Sequence, residues 1–302
     1  MMTICYIDCS PYMRDLMRDA GLTLPDGLRL HIGDPERDAL PDLIGDAEIV
    51  LNGHSYMDAA TIAALRRVKR IIFLGTGATS YIDVAAAAER GIAVETIRGY
   101  GDRSVAEHAF ALMMASARQV ATMDRRMRAD IWEPIGGIEL GGRTLGIIGA
   151  GGIGLELAAM ASGFGMKVLI WNRSTVAGDW QAHQVSIERL LTEADVVSLH
   201  LALTPDTAQF LDGTRLRQMK PGAILINTAR AGLIDEQALI DALASGRIAH
   251  AGLDVFSAEP PSPDHRLKHL GNVTMTSHAA YKTPEASLRL MQRAFALVQQ
   301  GG

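Results

Sequence analysis

Cysteine is scarce in this chain, which has only two in 302 residues, Cys5 and Cys9. Four residues of extended chain at about 3.3 Å each put these two roughly 13 Å apart, whereas a disulfide needs Cα atoms within about 7 Å. A disulfide framework is therefore excluded. We expect both residues to be buried thiols in a reducing compartment, which favours a cytoplasmic protein.

A strong charge of one sign is also absent. The 29 basic and 34 acidic side chains give a net charge of −5, and the chain has no basic run. We therefore expect no nucleic acid and no membrane surface as a partner. The least charged stretch, residues 144–166, contains seven glycines, which suit turns better than a membrane-spanning helix. The N-terminus lacks the basic segment of a signal peptide.

Motifs that bind metal ions are missing as well. No cysteine cluster and no His-Glu-x-x-His pattern occurs, and the pair His265 and His269 lacks a third ligand at helical spacing. We therefore expect no metal site.

What the chain does have is a regular alternation of short β-branched runs with helical patterns, which is typical of parallel βαβ units. The sequence predicts an α/β protein with two doubly wound parallel-sheet domains. A helical pattern from Ser104 to Asp130, with Ser104 and Glu107 as a capping box, predicts one long helix that joins them. The predicted domains are residues 1–100 with 284–302, and residues 101–283.

A glycine-rich turn lies between a predicted strand and a predicted helix. Residues 149–154 spell G-x-G-x-x-G. In such turns the glycines allow a tight bend, close approach of a pyrophosphate and close packing of helix on strand, while the helix N-terminus faces the negative charge. The pattern predicts a Rossmann-type dinucleotide site whose cofactor-binding residues are Gly149, Gly151, Gly152, Ile153 and Gly154.

The residues that would face the adenosine ribose come at the end of the next strand. Asn172 stands where an NAD site usually has Asp or Glu, and it is followed by Arg173 and Ser174. A carboxylate that would repel a 2′-phosphate is thus missing, and a cation is present. We expect all three residues to contact the cofactor and NADP to be preferred, with NAD left open.

Three later segments each follow a predicted strand, at the sheet edge where such folds bind ligands. They carry Thr228, Ala229 and Arg230, then Asp254 and Glu259, and finally His278. An arginine can hold a carboxylate, a histidine can exchange a proton, and a carboxylate can orient and charge that histidine. This set is the one that hydride transfer to a 2-oxo acid needs.

The chain resembles the D-isomer-specific 2-hydroxyacid dehydrogenases. The resemblance covers nearly the whole chain and is strongest from Ser104 to Thr283. It is carried by Val105-Ala106-Glu107-His108, by the run from Met219 to Gly232, and by His278, Ala280 and Thr283. Two prolines usual in the family are replaced, by Ala202 and by Ser277.

The resemblance implies a role for each candidate residue. Arg230 would bind the substrate carboxylate, His278 would be the acid/base and Glu259 its partner. Asp254 would contact the nicotinamide carboxamide, and Thr228 and Ala229 would belong to the cofactor site. The turn Gly75-Thr76-Gly77 would bind the substrate carboxylate through its N–H groups.

The resemblance also implies the architecture. A Rossmann-type nucleotide-binding domain is expected beside a smaller flavodoxin-like substrate domain, with the active site between the two. A homodimer is expected as well.

Other functions stay open from sequence alone. A nucleotide-sensing binding protein of co-repressor type would keep the same fold, and phosphite oxidation would keep the same cofactor. Glu259 argues against formate dehydrogenases, which have glutamine there. Glyoxylate, hydroxypyruvate, phenylpyruvate-like and phosphorylated acids all fit, so the substrate side chain stays undetermined.

Overall fold

A computed structural model describes residues 2–300, which divide into two compact units. The first comprises the chain up to Gly101 together with the segment that begins at Lys282, and the second spans Asp102–Tyr281. Each unit is a parallel sheet with helices, of five strands in the first and six in the second. The predicted fold class is confirmed.

The sheet of the first unit has the order β2-β1-β3-β4-β5, the flavodoxin-like order. All its ladders are parallel. Its central strands are rich in isoleucine and valine and are buried, as expected where helices cover both faces. The strands are β1 (Ile4–Cys9), β2 (Leu28–Ile32), β3 (Ile49–Asn52), β4 (Arg70–Phe73) and β5 (Ala93–Thr96).

Four helices of the first unit begin at side-chain caps, and the helix Leu40–Ile44 does not. Ser10, Asp58, Asp83 and Thr283 each accept a hydrogen bond from a backbone N–H in the first helical turn, which satisfies a group that the helix leaves open. The helices are α1 (Pro11–Asp19), α2 (Leu40–Ile44), α3 (Ala59–Ala64), α4 (Val84–Glu89) and the C-terminal α11 (Pro284–Gln299). Leu290, Phe295 and Val298 of α11 are buried in one cluster with Ile4 and Ile72, so this distant segment completes the core of the first unit.

The sheet of the second unit has the order β11-β10-β9-β8-β6-β7. Beyond β7, the third strand of the usual Rossmann order is reduced to a single bridge between Ile170 and Gln184. The strands are β6 (Thr144–Ile148), β7 (Lys167–Trp171), β8 (Val196–Leu199), β9 (Ala223–Asn227), β10 (Ile248–Leu253) and β11 (Val273–Met275). Its helices are α5 (Asp102–Ala117), α6 (Val120–Arg128), α7 (Gly152–Gly163), α8 (Ile187–Glu193), α9 (Gly213–Gln218) and α10 (Glu236–Ala244).

Two details of the sequence interpretation are wrong. The helix predicted from Ser104 to Asp130 is two helices, because Gln119 adopts a left-handed conformation (φ 52°) between α5 and α6. The first of them starts at Asp102, so Ser104 is buried inside it and is no cap. The strand β2 is missing from the sequence interpretation, although its residues Leu-Arg-Leu-His-Ile alternate between apolar and polar side chains.

Both cysteines are buried and free, as the sequence predicts. Burial raises the pKa of Cys9 to about 11, so this thiol is protonated at neutral pH. Within residues 2–300, no helix is both long and apolar enough to cross a membrane.

Two histidines whose pKa is lowered in the fold, His250 and His200, make stability depend on pH. Burial lowers the pKa of His250 from 6.5 to about 4, with a smaller contribution from the Arg125 charge, and burial alone lowers the pKa of His200 to about 4. Between pH 6.5 and about pH 4, the unfolded chain binds protons at these histidines that the folded chain does not bind. The free energy of unfolding should therefore fall on acidification from pH 6.5 to 4, by up to about 1.4 kcal/mol per pH unit for each histidine.

Urea unfolding across this pH range measures that slope. His250→Gln, which keeps an N–H donor but cannot titrate, should flatten the slope, and the same change at the exposed His269 should not. Equal slopes in the parent and in His250→Gln would contradict the assignment.

Candidate active site

The carboxyl ends of parallel strands meet at one edge of a sheet, and the candidate catalytic residues of the second unit lie at that edge. Arg230 follows β9, Glu259 follows β10 and His278 follows β11. These three strands are direct neighbours in the sheet. The topology therefore brings together three residues that are spread over 49 positions of the chain (278 − 230 + 1).

His278 and Glu259 form a close pair. The Nδ1 atom of His278 lies 2.6 Å from Oε2 of Glu259, and the other carboxylate oxygen accepts a hydrogen bond from the Phe256 N–H at 3.0 Å. A carboxylate accepts, so Nδ1 carries the proton. The Nε2 atom makes no hydrogen bond within the described residues. Because both side chains are about one-third exposed, at 33% and 34%, a ligand can reach Nε2.

The backbone at His278 is held in an unusual conformation. Its φ of 50° lies in the left-handed region, which costs a non-glycine residue about 1 kcal/mol or more and is frequent at functional sites. Asp254, which is fully buried, supports it. Its carbonyl accepts from the His278 N–H at 2.8 Å, and its two carboxylate oxygens accept from the Ala279 and Ala280 N–H groups at 2.9 Å each.

Arg230 is presented by a turn that Asn227 fixes. The buried Asn227 amide accepts from the Ala229 N–H at 3.0 Å and donates to the Arg230 carbonyl at 2.9 Å. One guanidinium nitrogen of Arg230 donates to the Ala229 carbonyl at 2.7 Å. The remaining guanidinium donors have no hydrogen-bond acceptor in the part of the chain that the structure describes, so they are available to a carboxylate.

The glycine-rich turn between β6 and α7 has the form that a dinucleotide requires. Gly149 has a φ of 104°, and a Cβ on Gly154 would lie 2.1 Å from the Gly149 carbonyl oxygen. The backbone conformation at Gly149 and the close packing at Gly154 therefore require glycine at both positions, whether or not a ligand is bound. A Cβ on Gly151 would meet nothing within 4 Å, so the space above it is open. Gly152 and Ile153 then open α7, whose N-terminus favours negative charge.

Asn172 is tied to this turn rather than to solvent. Its carbonyl oxygen accepts from the Ala150 N–H at 3.1 Å, while its NH2 group lies 3.0 Å from the Ser174 carbonyl and 3.1 Å from the Ser174 hydroxyl. The side chain therefore connects the end of β7 to the glycine turn. Arg173 is exposed and has no hydrogen bond or ion pair within the described residues.

Two polar atoms at the same sheet edge are buried and lack partners among the described residues, namely Oγ1 of Thr228 and Nδ1 of His200. Thr228 was predicted as a cofactor residue, but His200 was not. The His200 ring is fixed by Ser198, whose hydroxyl lies 2.8 Å from Nε2. Its backbone carbonyl would be 2.8 Å from a Cβ on Gly149, so His200 borders the glycine turn. The signal in the sequence was a histidine at the end of a buried strand.

In the first unit, the turn Gly75-Thr76-Gly77 follows β4 at the carboxyl edge of its sheet. The Gly75 N–H donates to the Phe73 carbonyl at 2.8 Å, and the Gly75 carbonyl accepts from the Ile97 N–H at 2.9 Å. The N–H groups of Thr76 and Gly77 have no acceptor within residues 2–300. Two donors are therefore available at this turn, as an anion site requires.

The groups that a metal ion would need do not come together. Within residues 2–300 no cluster of three or more His, Cys, Asp or Glu side chains could hold a metal ion.

The sheet order, the glycine turn and the open α7 N-terminus define a dinucleotide-binding unit of the Rossmann type. Residues 110–280 match the model of the D-isomer specific 2-hydroxyacid dehydrogenase, NAD binding domain. The chain belongs to the D-isomer-specific 2-hydroxyacid dehydrogenase family.

Known proteins of this family are similar over most of the chain. A hydroxypyruvate reductase of Thermotoga maritima is 38% identical over 260 residues, which cover 84% of this chain and 85% of that protein. A D-3-phosphoglycerate dehydrogenase of Archaeoglobus fulgidus is 38% identical over 249 residues, 80% of this chain but 47% of that protein. The chain thus spans about half the length of the phosphoglycerate dehydrogenases that it matches.

One solved structure adds a bound cofactor to the comparison. An acyclic imino acid reductase in complex with NADPH and D-Arg has a TM-score of 0.84 and 30% identity, covering 99% of this chain and 96% of that one.

Gly154→Ala should damage both the fold and the dinucleotide site. The new methyl group would collide with a backbone oxygen that cannot move aside, so we expect a loss of about 1–3 kcal/mol in the free energy of unfolding and weaker binding of NAD(P)H. Denaturant unfolding and cofactor fluorescence titration measure the two effects. Gly163→Ala, at the open end of the same helix, is the control and should be neutral or slightly stabilising. Equal stability of the two variants would contradict the prediction.

Proposed function

We propose that this protein is an NAD(P)-dependent D-2-hydroxyacid dehydrogenase that reduces a small 2-oxo acid to the 2-hydroxy acid. The observation that carries the proposal is the His278–Glu259 pair, which follows strands neighbouring the Arg230 strand in a dinucleotide-binding sheet. The reaction balances as 2-oxo acid plus NAD(P)H plus a proton, giving 2-hydroxy acid plus NAD(P)+. Relatives named hydroxypyruvate reductase and glyoxylate reductase support this reaction class.

In this reaction His278 is the acid. Its Nδ1–H is held by Glu259 at 2.6 Å, which fixes the ring and directs Nε2 to the substrate. Nε2 gives its proton to the carbonyl oxygen as that oxygen gains negative charge, and Glu259 stabilises the imidazolium before the transfer. The free guanidinium donors of Arg230 bind the substrate carboxylate and polarise the carbonyl group. In the reverse direction His278 is the base.

The residues around the glycine turn fit a nicotinamide dinucleotide. A bound NAD(P)H supplies the hydride that the 2-oxo carbon accepts. The chain holds the cofactor at Gly149, Gly151, Gly152, Ile153 and Gly154, with Thr228, Ala229 and Asp254 at the neighbouring strand ends. The buried, unpartnered hydroxyl of Thr228 supports this assignment, because such a group usually has a ligand or water as its partner.

We propose that the protein prefers NADP to NAD. Asn172 puts no charge at the ribose position, and the Arg173 guanidinium beside it is exposed and has no ion pair among the described residues. Arg173 and the Ser174 hydroxyl would bind a 2′-phosphate, while Asn172 keeps the glycine turn in place through Ala150.

The two units take different roles in this proposal. Residues 1–100 with 284–302 form the substrate domain, whose Gly75-Thr76-Gly77 turn offers the Thr76 and Gly77 N–H groups, but not the Gly75 N–H, to a carboxylate. Residues 101–283 form the dinucleotide-binding domain. We propose glyoxylate or hydroxypyruvate as substrates.

A homodimer and a cytoplasmic location complete the proposal. Val120, Met127, Ile131 and Trp132 are exposed in one segment, with Trp132 at 83% exposure, and an apolar surface of this kind supports contact with a second copy. The two free thiols support a reducing compartment.

His278→Ala should lower kcat for 2-oxo acid reduction by about two to four orders of magnitude, the usual contribution of general acid catalysis. The measurement is NADPH and NADH oxidation at 340 nm with glyoxylate and hydroxypyruvate. His269→Ala, at an exposed position, is the matched control and should keep the parent kcat. A His278→Ala variant with near-normal kcat at neutral pH would show that the proposed acid is wrong.

Cofactor choice is tested by kcat/KM for NADPH and NADH at one saturating 2-oxo acid. A charge-assisted contact of about 1.5–3 kcal/mol gives a roughly ten- to hundredfold preference for NADPH in the parent. Asn172→Asp should reverse the preference, because the new carboxylate repels the 2′-phosphate and binds the ribose hydroxyls. Arg173→Gln should lower kcat/KM for NADPH and leave that for NADH unchanged. Equal values in the parent would contradict the preference.

A further inference from the structure

A chain of three polar side chains leads from helix α5 to the turn that carries His278. Nε2 of His108 lies 3.0 Å from the Thr276 hydroxyl oxygen, and this hydroxyl lies 2.6 Å from Oδ1 of Asp254. His108 is also 3.6 Å from the same carboxylate oxygen. The proposed reaction uses neither His108 nor Thr276, so these contacts need an explanation of their own.

The direction of the hydrogen bonds follows from counting protons. The fully buried Asp254 carboxylate takes two backbone N–H groups, from Ala279 and Ala280, so it acts as an acceptor. The single proton of the Thr276 hydroxyl must therefore point at Asp254. Its oxygen is left to accept, and the only donor that the contact offers is the Nε2–H of His108. The geometry fixes the chain as His108 Nε2–H to Thr276 O–H to Asp254 carboxylate.

This series of hydrogen bonds ends at Asp254, which contacts the backbone of the left-handed residue His278 and of the two residues after it. Three consecutive N–H groups, from His278, Ala279 and Ala280, all donate to Asp254. The carboxylate holds the Ala279 and Ala280 N–H groups, and the Thr276 hydroxyl donates to the same carboxylate at Oδ1. Without the Thr276 hydroxyl, Oδ1 would lose its shortest contact, and the His278 turn could relax from its costly φ of 50°.

We propose that His108 and Thr276 are positioning residues for His278, acting through Asp254. The inference rests on the proposed function, since it assigns these residues a part in the same proton transfer. His108 reaches the turn from a helix that packs on β9, β10 and β11, so it ties the acid/base residue to a rigid element rather than to a loop.

The protein contains a matched control pair, His250 and Thr274, whose threonine lies two residues before Thr276 on the same segment. Nε2 of His250 lies 3.0 Å from the Thr274 hydroxyl, the distance found between His108 and Thr276. No hydrogen bond joins Thr274 to Asp254 within the described residues. Loss of the Thr274 hydroxyl therefore costs a similar buried histidine–threonine contact but leaves the His278 turn untouched.

The experiment compares Thr276→Val and Thr274→Val, which remove a hydroxyl at nearly constant volume, with Thr276→Ser, which retains it. Displacement of a reacting group by about 1 Å can reduce turnover about a hundredfold. We expect Thr276→Val to lower kcat about ten- to hundredfold and to change the KM for the 2-oxo acid, which Arg230 binds, by less than about threefold. Thr276→Ser and Thr274→Val should stay within about threefold of the parent kcat.

The histidine end is tested in the same way. His108→Gln retains an N–H near the position of Nε2, whereas His108→Leu does not. We expect kcat to fall in His108→Leu and to be largely recovered in His108→Gln. Equal kcat losses in Thr276→Val and Thr274→Val, or a His108→Leu variant with the parent kcat, would overturn the proposal.

A second measurement does not depend on turnover. Side-chain 15N spectra of histidine-labelled protein report the protonation of each ring nitrogen. The His278 resonances should move in Thr276→Val and stay in place in Thr274→Val, and His108 should carry a proton on Nε2. If the parent reduces none of glyoxylate, hydroxypyruvate, phenylpyruvate and a phosphorylated 2-oxo acid, the proposed function fails, and these spectra alone decide whether His108 and Thr276 position His278. Unmoved His278 resonances in Thr276→Val would overturn the positioning role.

Discussion

The buried carboxylate of Asp254 is the interaction on which the rest of the candidate active site depends. Its two oxygens accept the N–H groups of Ala279 and Ala280, while the backbone carbonyl of Asp254 accepts the His278 N–H, and His278 is left-handed in this arrangement. The conformational cost at His278 is thus offset by hydrogen bonds to a group that has no access to water. His278 can then meet Glu259 with its Nδ1 and leave its Nε2 free.

At the glycine turn, one side chain likewise serves both the local structure and the proposed function. The side-chain carbonyl of Asn172 accepts a hydrogen bond from the Ala150 N–H, and its NH2 group donates to Ser174. The uncharged residue to which we attribute the cofactor preference therefore also stabilises the turn. An aspartate would keep the acceptor but lose both donors. Cofactor preference and the local structure of the turn are therefore coupled at one position, and the open space over Gly151 is the part left to the cofactor.

Much of the fold could be predicted because the relevant signals are local. Three strands of the second unit, Thr144–Ile148, Lys167–Trp171 and Ala223–Asn227, are short apolar runs between turn residues, a pattern that is visible in the sequence itself. The wrong details concern elements that the rest of the fold decides. Gln119 breaks a helix whose pattern continues on both sides, and β2 exists because it pairs with β1.

The sequence by itself determined the parallel α/β class, the glycine turn, and which residue types lie at the strand ends, because period, spacing and composition act over a few residues. Only the tertiary structure decided that Asp254 turns its carboxylate to the backbone of residues 279 and 280, and that His108 reaches it through Thr276 over 168 positions of chain. Contacts of this kind depend on the packing of α5 on the sheet, and no local pattern in the sequence records which side chains that packing brings together.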